Sequence, residues 1–203
     1  MIVTSEMVRA AWDVLPKKYS ASVHDKRTSA VMKGAAWVVV AQGQQTHEQF
    51  MLYTTTLGTE IYTPFTPGEP DPYYSLAGQL GVLGHELRHV QQFLADPVRF
   101  MERYARDTEE RTVFECEGYR TGETIRRHLG LTGTTPDLLA GHLKSYGATA
   151  NNIALARRFH EISFASLQPG VFLDEPARDV VLFVEAHAAG RAPVDIVKMS
   201  EVV

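Results

Sequence analysis

The stretch that decides the fold reads Gly84-His85-Glu86-Leu87-Arg88-His89-Val90-Gln91-Gln92. It lies within a longer helical pattern. Leu76, Leu80, Leu83, Leu87, Val90 and Leu94 fall on one apolar stripe. His85 and His89 are four residues apart, so on a helix they share one face, about 40° from eclipsed. That face points almost opposite the apolar stripe, and Gly78, Gly81 and Gln92 keep it roomy. Gly78, Gly81 and Gly84 each cost a helix interior about 1 kcal/mol relative to alanine. Close approach of a neighbouring strand or helix explains them. The pattern predicts a central wall, with core on one side and a cleft on the other.

His-Glu-x-x-His is an arrangement with a physical rationale. Two imidazoles on one helical face can each give a nitrogen to a zinc ion. Glu86 sits about 100° round from His85, where its carboxylate can take a proton from a water that the metal has made acidic. A catalytic zinc needs a third protein ligand and an open position. The candidates lie downstream, in Arg111-Thr112-Val113-Phe114-Glu115-Cys116-Glu117-Gly118-Tyr119. Glu115 and Glu117 flank the apolar side of a second amphipathic helix, and periodicity alone does not choose between them. Gly118 and Gly122 fall on the Glu115 flank and would let it press against the first helix, which favours Glu115. Arg111, one turn earlier, is placed to hydrogen-bond and orient that carboxylate. Cys116 points about 100° away from Glu115 and reads as a packed thiol.

These two motifs resemble the gluzincin class of zinc metallopeptidases, in its small single-domain bacterial or phage-associated form. In that class the motif histidines and a glutamate from a following helix bind zinc, and the motif glutamate is the general base. The resemblance implies those roles for His85, His89, Glu115 and Glu86, and a peptide or protein substrate. Members often carry Arg-x-x-x-Glu-x-x-Ala-Asp on the second helix. Arg111 and Glu115 match that spacing, whereas Gly118 stands where alanine is usual and Tyr119 where aspartate is usual. The likeness spans about residues 50 to 120. It also implies that a strand before the zinc helix forms the upper rim of the cleft.

Outward from these motifs, Thr4 to Leu15 reads as an amphipathic helix stopped by Pro16. Ala35 to Gln42 reads as a buried strand on the strength of Trp37-Val38-Val39-Val40. Gln49 to Thr56 and Glu60 to Thr63 also read as strands, and the proline-rich 63–72 as a loop. Helices are expected near 73–94, 97–105, 107–129, 137–146, 150–166 and 174–189. Strands first and helices afterwards argue for an α+β fold: a zincin-like short antiparallel sheet on the His-Glu-x-x-His helix. A zincin-like core over 1–129 and a helical C-terminal part over 130–203 are divided at Gly130 to Pro136. Trp12, Trp37, Phe159, Phe164, Phe172 and Phe183 fit core positions.

With 203 residues the chain can bury a core without staples. A single cysteine excludes an internal disulfide and any structural zinc site built on several cysteines. A net charge of −4 with scattered basic residues gives no support for nucleic-acid binding. No apolar run is long enough for membrane insertion, and the start shows no basic segment followed by an apolar run. A cytoplasmic home is the default, with non-classical export open. For an oxyanion donor, Tyr104, Tyr119, Tyr146 and His160 are the candidates. His24, His47, His128, His142 and His187 have no ligand spacing and read as surface or packing residues.

Overall fold

The computed structural model describes residues 1–41, 46–131, 134–168 and 170–191. Gln42, at the end of the expected strand, lies outside them. So do Thr132 and Gly133 in the expected boundary and residues 192–203 of the expected C-terminal part.

Thr4 caps α1 (Ser5–Lys18) by accepting from the Met7 amide. The helix runs past Pro16, contrary to the expected stop, because a proline in the last turn removes only one helical bond. Val8, Ala11, Trp12 and Leu15 of α1 are buried. After a turn comes β1 (Ser22–Asp25), which sequence patterning did not reveal.

The expected strand over 35–42 is instead α2 (Ala30–Ala41). Ser29 accepts from the Met32 amide at its start, and Ala30, Ala35 and Ala36 supply helix propensity that outweighs the valine run. The strand expected over 49–56 is mostly α3 (His47–Leu52). A capping box starts α3: Thr46 accepts from the Gln49 amide while Gln49 accepts from the Thr46 amide. Only the end of that stretch is extended, as β2 (Thr55–Leu57). Gly58 turns the chain at φ +66° into β3 (Glu60–Thr63), where a strand was expected.

The sheet order is β1-β3-β2. β2 pairs antiparallel with β3, but β1 pairs parallel with it, so the sheet is mixed and not wholly antiparallel. The parallel pair needs a crossover, and α2, α3 and β2 lie within it.

Helices dominate the rest: α4 (Leu76–Ala95), α5 (Pro97–Arg106), α6 (Thr108–His128), α7 (Pro136–His142), a 3-10 turn at Leu143–Tyr146, α8 (Ala150–Ser166) and α9 (Glu175–Ala188). Leu80, Leu83, Leu87 and Val90 of α4 are fully buried, each adding about 1.5–3 kcal/mol of apolar burial. They meet α1, Ile125 of α6, and Val180, Phe183 and Val184 of α9 in the main core. Leu94, at the end of the expected stripe, is exposed. A smaller cluster joins Cys116 of α6 to Ala140, Leu143 and Ala156. Gln79 is fully buried and ties down the proline-rich loop: its amide oxygen accepts from the Gly68 amide, and its nitrogen donates to the Glu69 carbonyl.

The chain is thus α+β, mostly helical, with a small three-stranded sheet. Trp37 is exposed and not a core residue. Among the described residues no helix is long and apolar enough to cross a membrane.

Candidate metal centre

The site forms where α4 and α6 come close enough for backbones to touch. A Cβ on Gly122 would stand 2.8 Å from the Gly81 carbonyl oxygen, and one on Gly84 would run into Ile125. Gly118 leaves room for His85, whose ring atoms would lie 2.9–3.0 Å from a Cβ there. Of the glycines expected to admit a neighbouring element, Gly81 and Gly84 do so, and the element is α6, whereas a Cβ on Gly78 would meet chiefly its own helix cap, Ser75.

This approach brings His85, His89 and Glu115 together. The two Nε2 atoms are 3.0 Å apart. His85 Nε2 lies 3.5 Å from Glu115 Oε2, and His89 Nε2 lies 3.5 Å from Glu115 Oε1. Ligands about 2.0–2.2 Å from one tetrahedral zinc are separated by about 3.3–3.5 Å. The two histidine–carboxylate contacts, one to each Glu115 oxygen, fall in that range, and the two Nε2 atoms stand slightly closer than it. Glu115 Oε2 is buried and makes no hydrogen bond among the described residues, as expected of an atom meant for a cation. Imidazole nitrogens with a carboxylate suit zinc, and other first-row transition metals, by their chemistry.

The surroundings orient the donors. Gln92 stands one turn after His89, and its Oε1 lies 2.8 Å from His89 Nδ1. The Gln92 amide nitrogen donates to Glu117 Oε2 at 2.9 Å and to the Phe114 carbonyl at 3.2 Å. Its oxygen must then accept, so His89 Nδ1 carries a proton and Nε2 is the atom turned to the cluster. Glu117, the alternative third ligand, is engaged here instead, with Arg88 donating to it at 2.7 Å. The spacing of His89 and Gln92 could have revealed this partner from sequence.

Glu115 Oε1 accepts from the Tyr104 hydroxyl. Sequence reasoning gave that task to Arg111, but the Arg111 guanidinium donates to the carbonyls of Tyr146 and Ala105 and lies near the Tyr104 ring. Arg111 thus buttresses the tyrosine that holds the carboxylate. No sequence pattern marks Tyr104, which arrives on a separate helix, α5. Tyr119 stands edge-on to His85, with ring centroids 4.8 Å apart.

Glu86 is buried, and its Oε2 accepts from the Thr56 hydroxyl of β2 at 2.7 Å. Burial pulls the His89 imidazole down, but the carboxylates of Glu115 and then Glu86 lift it to about 9. Burial opposes ionisation of Glu115, yet the two imidazoles hold it well below the usual carboxylate range. The phenols of Tyr104, Tyr119 and Tyr146 are raised by burial first, then by Glu115, with Glu86 also contributing. Of these, Tyr104 touches Glu115 and Tyr119 touches His85. His160 stands behind Tyr119, with ring centroids 6.2 Å apart, and burial lowers it to about 4. The Cys116 thiol faces the smaller cluster, pushed up to about 12 by burial. Lys26, missed in the sequence, is fully buried, and burial lowers it to about 7 against the pull of Glu86.

No family model matches the chain, and neither does any curated protein or solved structure.

Proposed function

We propose that this protein is a zinc-dependent hydrolase and that its substrates are peptides. The observation that carries the reading is the convergence of His85, His89 and Glu115, whose ligand atoms lie within 4.8 Å of one another, with Glu86 next to His85 on the same helix. A zinc ion at those ligands would supply a Lewis acid, making a water acidic and polarising a carbonyl. Glu86 takes the proton of the attacking water and returns it to the leaving amine. Thr56 fixes the angle of the Glu86 carboxylate through Oε2. Tyr104 and Gln92 hold Glu115 and His89 in their ligating orientations. Support for a peptide comes from β2, an edge strand whose Thr56 reaches Glu86. An extended chain can add to such an edge by main-chain hydrogen bonds.

Elemental mass spectrometry on protein purified without a metal-affinity tag tests the metal. One zinc per chain, lost in His89→Ala, is the expected result. Glu86→Gln should keep the zinc and lower peptide turnover by roughly 10²–10⁴-fold. Equal cleavage by Glu86→Gln would remove the general-base assignment. Zinc without cleavage of any peptide in a broad library would point to another amide substrate or to a zinc-containing binding module.

A further inference from the structure

We infer that Lys26 is a positioning residue that holds the segment from Phe50 to Thr56 in place and thereby keeps the Thr56 hydroxyl on Glu86. Its effect on turnover rests on the proposed role of Glu86, whereas the pinning itself does not.

Lys26 follows the last residue of β1, and its amide donates to the Thr63 carbonyl at 2.8 Å, continuing the β1–β3 ladder. The backbone is therefore fixed. The side chain is fully buried. Burying an ammonium is costly unless each of its N–H groups finds an acceptor. Here each does: Nζ donates to the Phe50 carbonyl, the Tyr53 carbonyl and the Thr55 hydroxyl oxygen, all at 2.7 Å. It also stands 3.8 Å from the centre of the Phe50 ring. The Phe50 carbonyl lies in the last turn of α3, where the helix end favours a cation.

Beyond its packing against α2, α4 and β3, the segment so gripped has few other polar anchors among the described residues. β2 is three residues long and pairs on one side only, with β3. A second anchor comes from the far side, where the Tyr74 hydroxyl donates to the Leu52 carbonyl at 2.8 Å. Carbonyls 50, 52 and 53 thus each accept from a side chain outside the segment. Successive strand residues point to opposite faces. Thr55 consequently faces Lys26, and Thr56 turns to Glu86. The ammonium sets the position of one threonine, and the peptide link delivers the next to the carboxylate.

The test compares Lys26→Met, Thr55→Val, Thr56→Val and the double variant Lys26→Met/Thr56→Val with the parent. Hydrogen exchange over residues 50–57 reads the pinning in both zinc-loaded and zinc-free protein. It should rise roughly tenfold in Lys26→Met, and less in Thr55→Val, with α4 and α6 unchanged. Thr55→Val removes one acceptor of three and serves if Lys26→Met does not fold. Zinc stoichiometry should stay at the parental value. With a quenched-fluorescent peptide library, kcat should fall roughly tenfold while KM stays within about twofold. The double variant should be no slower than Lys26→Met alone, because both changes break one chain of contacts. A merely structural lysine would give additive losses. Unchanged exchange over 50–57, or additive losses in kcat, would overturn the inference. A parent that holds zinc but cleaves no peptide would sink the peptidase reading, and exchange would still decide the pinning.

Discussion

The α4–α6 pair and the stretch from α2 to β2 hold their positions by different means. Along α4 and α6 the contact is backbone to backbone. Gly81 and Gly122 face each other with no room for a Cβ, and His85, His89 and Glu115 hang from that seam. Along α2 the packing is open. Among its described side chains only Met32 and Ala36 are buried, and Gly34 has nothing within 4 Å of where a Cβ would stand. The end of α3 and the start of β2 are fixed by two polar anchors, Lys26 and Tyr74. Close backbone contact leaves a mark in sequence, since it demands glycine at set intervals. A polar anchor leaves almost none, because one lysine can grip any carbonyl within reach.

The largest test of this contrast removes the proposed zinc. With free zinc at a thousand times its Kd, chelation should lower stability by about 4 kcal/mol. Exchange should rise in α4 and α6 and stay level in α2. A uniform rise would erase the distinction. Next in size is Gly122→Ala, which sets a methyl against the Gly81 carbonyl oxygen at 2.8 Å. It should cost about 2–3 kcal/mol by urea denaturation, and a neutral result would mean that the seam has slack. The smallest effect should be of opposite sign. Gly34→Ala, in the open interior of α2, should stabilise by about 0.5–1 kcal/mol. A loss there would show that α2 is packed more tightly than its exposure indicates.

What was legible in the sequence follows the same line. The helices from Leu76 onward repeat their apolar residues with a clear period, because each has one face on a core and one on solvent or cleft. Glu115 could be favoured over Glu117 from Gly118 and Gly122 alone, and it is Glu115 that joins the histidines. The valine run of α2 has no such period, and a short apolar run fits a helix or a strand equally well. Its alanines and Ser29 were the better guide. Thr46 and Gln49 offered a capping-box signal for α3 that the β-rich composition of the following residues masked. Tyr104, a candidate for an oxyanion donor, could not be assigned to Glu115, and Lys26 was beyond reach, since their partners lie on other elements and no spacing links them.

The two-sided burial of α6 has one more consequence. Ile125 and Leu129 at its end join the main core, while Cys116, next to Glu115, is buried against α7, the 3-10 turn and α8. The carboxylate is thus set by a helix that answers to both hydrophobic clusters at once. If zinc binds there, linkage makes the effect reciprocal: whatever loosens the α7–α8 cluster weakens metal capture, and metal capture tightens that cluster by the same free energy.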